Sequence, residues 1–206
     1  MNIGILGAGH IGATAAELFA KAGHSVTISN SRGPASLSSL VASTGSSIKA
    51  VTAEEAVRFG DIILIAVPWT KRDTLPDAQL FENKIVIDAM NHYGPNGVID
   101  LGENTSSETV SWQLPGARLV KAFNTMYFET LRTGGRPAGP DRLVIFIAGD
   151  DTEAKDAVAH LIEEIGFAAV DTGFLRDGGR LQQPGSPIYN VAMTVTEAGK
   201  RLSELK

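Results

Sequence analysis

Six consecutive residues near the start of the chain, Gly7-Ala8-Gly9-His10-Ile11-Gly12, carry the spacing G-x-G-x-x-G immediately after the apolar run Asn2–Leu6. The chemistry suited to that spacing is diphosphate binding. Gly7 permits a tight turn, Gly9 lets phosphate oxygens come up to the backbone, and Gly12 lets the following helix pack close on the strand. The anion would sit on unpaired amides at a helix amino terminus, where the peptide dipoles also favour negative charge. A tight turn with no ligand is the competing reading. The strand before the glycines and the helical pattern after them weigh against it.

The end of the next apolar run bears on which dinucleotide would bind. A site selective for NAD places an acid about 20 residues beyond the glycines, to hold the adenosine ribose hydroxyls. No Asp or Glu occurs between Leu18 and Ala53; the run ends instead in Ser29-Asn30-Ser31-Arg32-Gly33. Hydroxyl and amide donors stand there beside a guanidinium, which chelates phosphate and stacks on adenine. Asn30, Ser31 and Arg32 are therefore expected around a ribose 2′-phosphate, and the expected cofactor is NADP(H).

Redox chemistry would take place beyond the carboxyl ends of later strands, where open parallel sheets bind ligands. Three segments qualify: Val67-Pro68-Trp69, Met90-Asn91-His92-Tyr93-Gly94 and Asn124-Thr125-Met126. Pro68 would shape a loop past the dinucleotide. Trp69 is either a flat wall of the cleft or packing beneath a loop. Asn124 and Thr125 would hold the nicotinamide carboxamide or line the acceptor pocket. No tyrosine has a lysine four residues on, so a Tyr-x-x-x-Lys proton donor is absent. His92 is the one histidine placed to act as an acid, and a solvated loop histidine is its plainer reading. With no cysteine, no His-x-x-x-His and no converging carboxylates, a metal site is not expected. A reductase without a dedicated acid suits an acceptor that is itself a conjugated redox ring, aligned against the cofactor with water excluded.

These segments need elements to hold them. Apolar runs rich in Ile and Val at Asn2–Leu6, Ser25–Ser29, Ile48–Val51, Asp61–Val67, Lys84–Ala89, Arg118–Phe123, Leu143–Ala148 and Ala168–Asp171 read as strands buried on both faces. Helical segments lie between them: His10–Ala22 before Gly23, one opening at Thr52 with Glu55 three residues on, and Glu153–Ile165 before Gly166. The alternation predicts an α/β fold, a Rossmann-like doubly wound, mostly parallel sheet with right-handed crossovers. Asn91–Pro115 and Gly173–Pro187, rich in Gly, Pro and polar residues, are expected to be long loops. Beyond them a terminal helix is expected over 188–206, from the apolar spacing of Ile188, Val191, Val195, Ala198, Leu202 and Leu205. It would pack on its own domain, with a homodimer contact as the alternative.

A chain of 206 residues fits a single domain, 1–206, with 173–187 and 188–206 as its appendage. The net charge of −5 and the absence of a basic run argue against nucleic-acid or membrane partners. No apolar stretch approaches the roughly 20 residues that span a bilayer. The expected location is the cytoplasm and the expected partner a small-molecule redox acceptor.

GILGAGHIG at Gly4–Gly12, SNSRG at Ser29–Gly33, AVPW at Ala66–Trp69, VKAFNT at Val120–Thr125, AGDD at Ala148–Asp151 and GFAAVDTGFL at Gly166–Leu175 together resemble the NADPH-dependent deazaflavin (coenzyme F-420) reductases. They are also similar to the cytosolic reductase domains of the STEAP ferric reductases. The resemblance implies one Rossmann-like domain exchanging hydride between NADP(H) and a deazaflavin or flavin co-substrate. It implies 2′-phosphate contacts at Asn30, Ser31 and Arg32, and a nicotinamide and acceptor pocket at Val67–Trp69, Met90–Asn91 and Asn124–Met126. The 91–97 loop and the 179–187 tail depart from that family where the acceptor would be touched. Two other classes remain at this stage: a small imine or carbonyl reductase with His92 as acid, resembling pyrroline-carboxylate reductases, and a non-catalytic NADPH sensor.

Overall fold

Each of the eight apolar runs is a strand in the computed structural model, which describes residues 1–44 and 47–205. In chain order the elements are β1 (Asn2–Leu6), α1 (His10–Lys21), β2 (Ser25–Ser29), α2 (Ser38–Thr44), β3 (Ile48–Ala50), α3 (Ala53–Phe59), β4 (Ile62–Ile65) and β5 (Ile85–Asp88). There follow a short hairpin of β6 (Tyr93–Gly94) and β7 (Gly97–Val98), then α4 (Ser106–Gln113), β8 (Arg118–Lys121) and α5 (Phe128–Thr133). The chain ends with β9 (Val144–Gly149), α6 (Thr152–Glu164), β10 (Ala168–Asp171), α7 (Asp177–Leu181) and α8 (Val195–Ser203).

The eight-stranded sheet has the order β3-β2-β1-β4-β5-β8-β9-β10. The order turns back at β1 and β4, the switch point of an α/β sheet, where the carboxyl ends open a crevice. Six strands run parallel; β9 pairs antiparallel with β8, and β10 follows β9 in parallel. Successive side chains of a strand go to opposite faces. Ile3, Ile5, Ile62 and Leu64 join one apolar cluster with Ala15, Ala16 and Phe19 of α1 and with Val158, Leu161 and Ile162 of α6. Leu6, Ile63, Ile65 and Val86 join another with Val57 of α3 and Val110 of α4. Continuous apolar strands are thus covered on both sides, and the sheet is a rigid platform for whatever stands at its edges.

Three expectations are corrected. Segment 91–115 is largely ordered: the hairpin occupies its first part, and α4 begins with a capping box in which Thr105 accepts from Glu108 N and Glu108 reaches back to Thr105 N. The span 173–187 contains α7 and crosses from the amino-terminal edge of the sheet, where the Gly149 amide donates to Gly173 O, to the other edge, where Gln182 O meets Asn124. The terminal helix is shorter than the apolar spacing suggested. Thr194 and Glu197 form its capping box, and the preceding residues run extended across β9, with the Val144 amide donating to Met193 O. Ile188 is buried against Val144 and Phe146 without being helical. Its regular spacing from Ala198 does not mark a continuous helix: both are buried, but Val191 and Val195 between them are exposed. Lys206, the last residue of that expected helix, lies outside the described residues.

Candidate functional site

The first turn of α1 stands where β1 ends. Gly7 has φ +106°, and a Cβ there would lie 2.4 Å from Ala66 O; a Cβ on Gly12 would lie 1.9 Å from Gly7 O. Both glycines are required by close packing of the turn on the end of β4. Gly9 differs, because a Cβ there would meet nothing within 4 Å, and its φ of −76° suits any residue. The protein itself gains nothing by leaving position 9 bare. The first turn of α1 carries no acid and no capping side chain. Its amides, which have no intrahelical partner, face open space over Gly9. That bare, amide-lined cradle fits the diphosphate of a dinucleotide. His10 stacks on Phe128 at 4.1 Å, joining α1 to α5 beside the cradle.

At the end of β2 the Ser29 hydroxyl donates to Ile5 O, while the Asn30 side chain organises the turn that follows. Asn30 Oδ1 accepts from the Arg32 amide at 3.0 Å, and its Nδ2 donates to Ser36 Oγ at 2.9 Å. The turn leaves Ser31 and Arg32 exposed, and no acid pairs with Arg32 among the described residues. An uncommitted guanidinium in an acid-free segment has the charge and donor fork that a phosphate monoester requires.

The expected hydride-transfer segments converge at the carboxyl ends of β4, β5 and β8. Val67 and Pro68 lie at the surface of the crevice. Trp69 is only 2% exposed, edge-on to His92 and with the Arg72 guanidinium 4.7 Å from its ring centre. It supports the loop from beneath and is not a wall of the cleft, because Leu6, Ile65 and Met90 enclose it in the second core cluster. Asn91 and Asn124 are locked to each other. Asn91 Nδ2 donates to Asn124 O at 3.0 Å, and Asn124 Nδ2 donates to Asn91 Oδ1 at 3.1 Å and to Gln182 O at 2.7 Å. Asn124 Oδ1 is buried without a partner among the described residues. The Thr125 carbonyl accepts from the Asn190 amide, and Met126 is buried under the same edge.

His92 is buried, against the expectation of a solvated loop residue, and its Nδ1 has no partner among the described residues. Burial lowers its pKa below the usual histidine value, and the nearby Lys121 ammonium adds to the effect. The ring is therefore neutral near pH 7 and holds no spare proton to give as an imidazolium.

Beneath these residues lies a group that inspection of the sequence missed. Asp88 and Lys121, register partners on β5 and β8, form an ion pair at 3.0 Å with both side chains 0% exposed. Asp88 Oδ1 accepts from the Met90 amide at 2.9 Å and Oδ2 from Ser107 Oγ at 3.0 Å. Lys121 Nζ also donates to Met90 O and, at 3.5 Å, to Ser106 Oγ. The signal available in the sequence was a charged residue directly after an apolar pair near the end of each of two strands, VIDAMN and LVKAFN.

With this geometry in view, a family model described as NADP oxidoreductase coenzyme F420-dependent matches residues 2–92, which hold the glycine turn, Arg32 and the ends of β4 and β5. The chain is similar to the metalloreductase STEAP3 of Rattus norvegicus, 30% identical over 176 residues, 84% of this chain and 34% of that protein. It thus spans about a third of the length of that curated relative. A solved hypothetical protein from Sinorhizobium meliloti is 38% identical with a TM-score of 0.83, covering 94% of this chain and 95% of the other. A candidate F420-dependent NADP reductase from Arthrobacter sp. FB24 is 25% identical with a TM-score of 0.77, covering 94% and 99%. No described helix is long and apolar enough to cross a membrane.

Proposed function

We propose that the chain, whose residues 2–92 match the model of NADP oxidoreductases described as coenzyme F420-dependent, exchanges hydride between NADP(H) and the ring of a deazaflavin or flavin. The observation that carries this reading is the bare Gly9 cradle after β1, together with Arg32 after β2, which pairs with no acid among the described residues, and the Asn91–Asn124 lock after β5 and β8. When bound, the reduced nicotinamide supplies the hydride. The residues of the chain bind and orient. The first turn of α1 holds the diphosphate, and Ser31 and Arg32 hold the 2′-phosphate. Asn124 Oδ1 takes an N–H of the carboxamide, which fixes the rotation of the nicotinamide and hence the ring face offered to the acceptor.

An acceptor that stores the hydride in its own conjugated ring asks the protein for no resident acid. That demand matches a hydride-transfer end whose histidine, His92, is buried and held below the usual histidine pKa by that burial. Imine or carbonyl reduction asks for a proton at the moment of transfer, and His92 is poorly placed to give it. Ferric chelates accept single electrons, so a hydride donor would reduce them only through an added flavin that divides the pair.

Steady-state oxidation of NADPH against deazaflavin, free flavins, ferric chelates and cyclic imines tests the reading. Turnover is expected with deazaflavin or flavin, with ferric chelate reduced only when flavin is present, and with His92→Gln retaining the rate. Turnover confined to imines, or abolished in His92→Gln, would overturn it. Tight NADPH binding without turnover would point to a sensor.

A further inference from the structure

The buried Asp88–Lys121 pair has no part in the binding described above, yet it occupies the floor of that site. Removing two charges from water is costly, and an apolar pair of similar volume would serve packing as well or better. What an apolar pair could not do is grip Met90 by both of its backbone groups. Asp88 holds the Met90 amide, and Lys121 holds the Met90 carbonyl. All three Lys121 donors are engaged, by Asp88, Met90 and Ser106, and both Asp88 oxygens are engaged, by the Met90 amide, Ser107 and Lys121. Met90 immediately precedes Asn91, whose side chain locks Asn124. The Ser106 amide donates to Gln183 Oε1, and Gln182 O accepts from Asn124, so the same cluster ties α4 and the 182–183 segment to both loops.

We propose that Asp88 and Lys121 are positioning residues for hydride transfer, fixing the Met90 peptide and through it the Asn91–Asn124 lock against which the nicotinamide and its acceptor are aligned. This rests on the reading of the site given above. The pair touches neither ring. Its effect is exerted on the registration of the β5 and β8 loops, where a misplacement of about 1 Å lowers a rate by about 100-fold.

Three variants of the full chain test it: Lys121→Met, the charge-free double variant Asp88→Leu/Lys121→Met, and Ser107→Ala, which removes one hydrogen bond and leaves the ion pair. NADPH titration gives the number of nucleotide-binding sites and their affinity. Turnover with deazaflavin or FMN is then expressed per bound nucleotide, so that loss of folded protein does not count as loss of rate. The double variant is expected to keep NADPH affinity within about threefold, since the diphosphate and 2′-phosphate contacts lie elsewhere, and to lose about 100-fold in kcat. The isotope effect from NADPH deuterated at the transferred position is expected to rise as the hydride step becomes limiting. Ser107→Ala is expected to lose about tenfold in kcat with the same direction of isotope effect. A folded double variant with wild-type kcat overturns the proposal. If the charge variants do not fold, wild-type kcat in Ser107→Ala overturns it instead. Wild-type protein that transfers hydride to none of the acceptors overturns the reading of the site and this inference together, whereas active wild type with indifferent variants overturns the inference alone.

Discussion

At the scale of single residues, the three glycines of one motif are there for two different reasons, and the difference is measurable. A Cβ on Gly12 falls 1.9 Å from Gly7 O, so Gly12→Ala must push backbone from backbone. A loss of about 3 kcal/mol or more in unfolding free energy is expected by denaturant titration. Gly9→Ala meets nothing in the protein; its stability should change by about 1 kcal/mol at most. Its NADPH affinity should fall by about 10-fold to 100-fold, because the methyl group occupies the approach of the diphosphate. Equal affinities for wild type and Gly9→Ala would remove the diphosphate from this turn. Arg32 offers a second residue-level test. A charge-assisted hydrogen bond to phosphate contributes about 1.5–3 kcal/mol, so Arg32→Ala should weaken NADPH by about 10-fold to 100-fold. NADH, which has no 2′-phosphate, should bind the variant almost as it binds wild type. Parallel losses for both nucleotides would show that Arg32 acts on the fold of the turn and not on the phosphate.

Between elements, the joint of β8 with α6 shows how a surface ion pair and a helix cap share one side chain. Asp151 caps α6 by accepting from the Ala154 amide at 2.9 Å, and the same carboxylate pairs with Arg118 Nε at 2.6 Å. The Arg118 hydrogen bond, then the Ala154 amide, draw the Asp151 pKa from 3.8 down to about 2. A carboxyl group that is more acidic in the folded chain binds fewer protons there than in the unfolded one. Its contribution is therefore complete above the ordinary value and is lost as the pH falls from about 4 to about 2. Asp151→Asn keeps an oxygen for the cap and removes the titrating charge. The variant should melt at a lower temperature than wild type near pH 6, and the two curves should converge toward pH 2. The gap should shrink in high salt, because both partners are partly exposed. A gap that is constant across this range would assign the effect to the cap.

Across the whole molecule, what could be read from the order of residues is what depends on neighbours along the chain. The eight strands, the helix after Gly9, the capping box at Thr52 and Glu55 and the acid-free stretch before Arg32 are local patterns of apolarity, spacing and charge, and each lies where its residues predicted. Local pattern does not state strand direction. Leu143–Ala148 reads like any other buried strand, and nothing in its residues states that it pairs antiparallel with β8. Nor does local pattern distinguish a helix from a run of turns that buries one apolar side chain, as Ile188 does ahead of the terminal helix. The Asp88–Lys121 pair escaped for the same reason: 33 residues separate its members, and each alone resembles a solvated strand end. Residue types and short spacings, acting through backbone sterics, determined the strands and the glycine turn, and they place Arg32 in the acid-free segment from which the proposed preference for a phosphorylated ribose is argued. Only the packed sheet decided which charges are buried, which indole is hidden and which amides grip each other at the crevice, because burial and pairing are set by distance in space, which the spacing of residues along a chain does not specify.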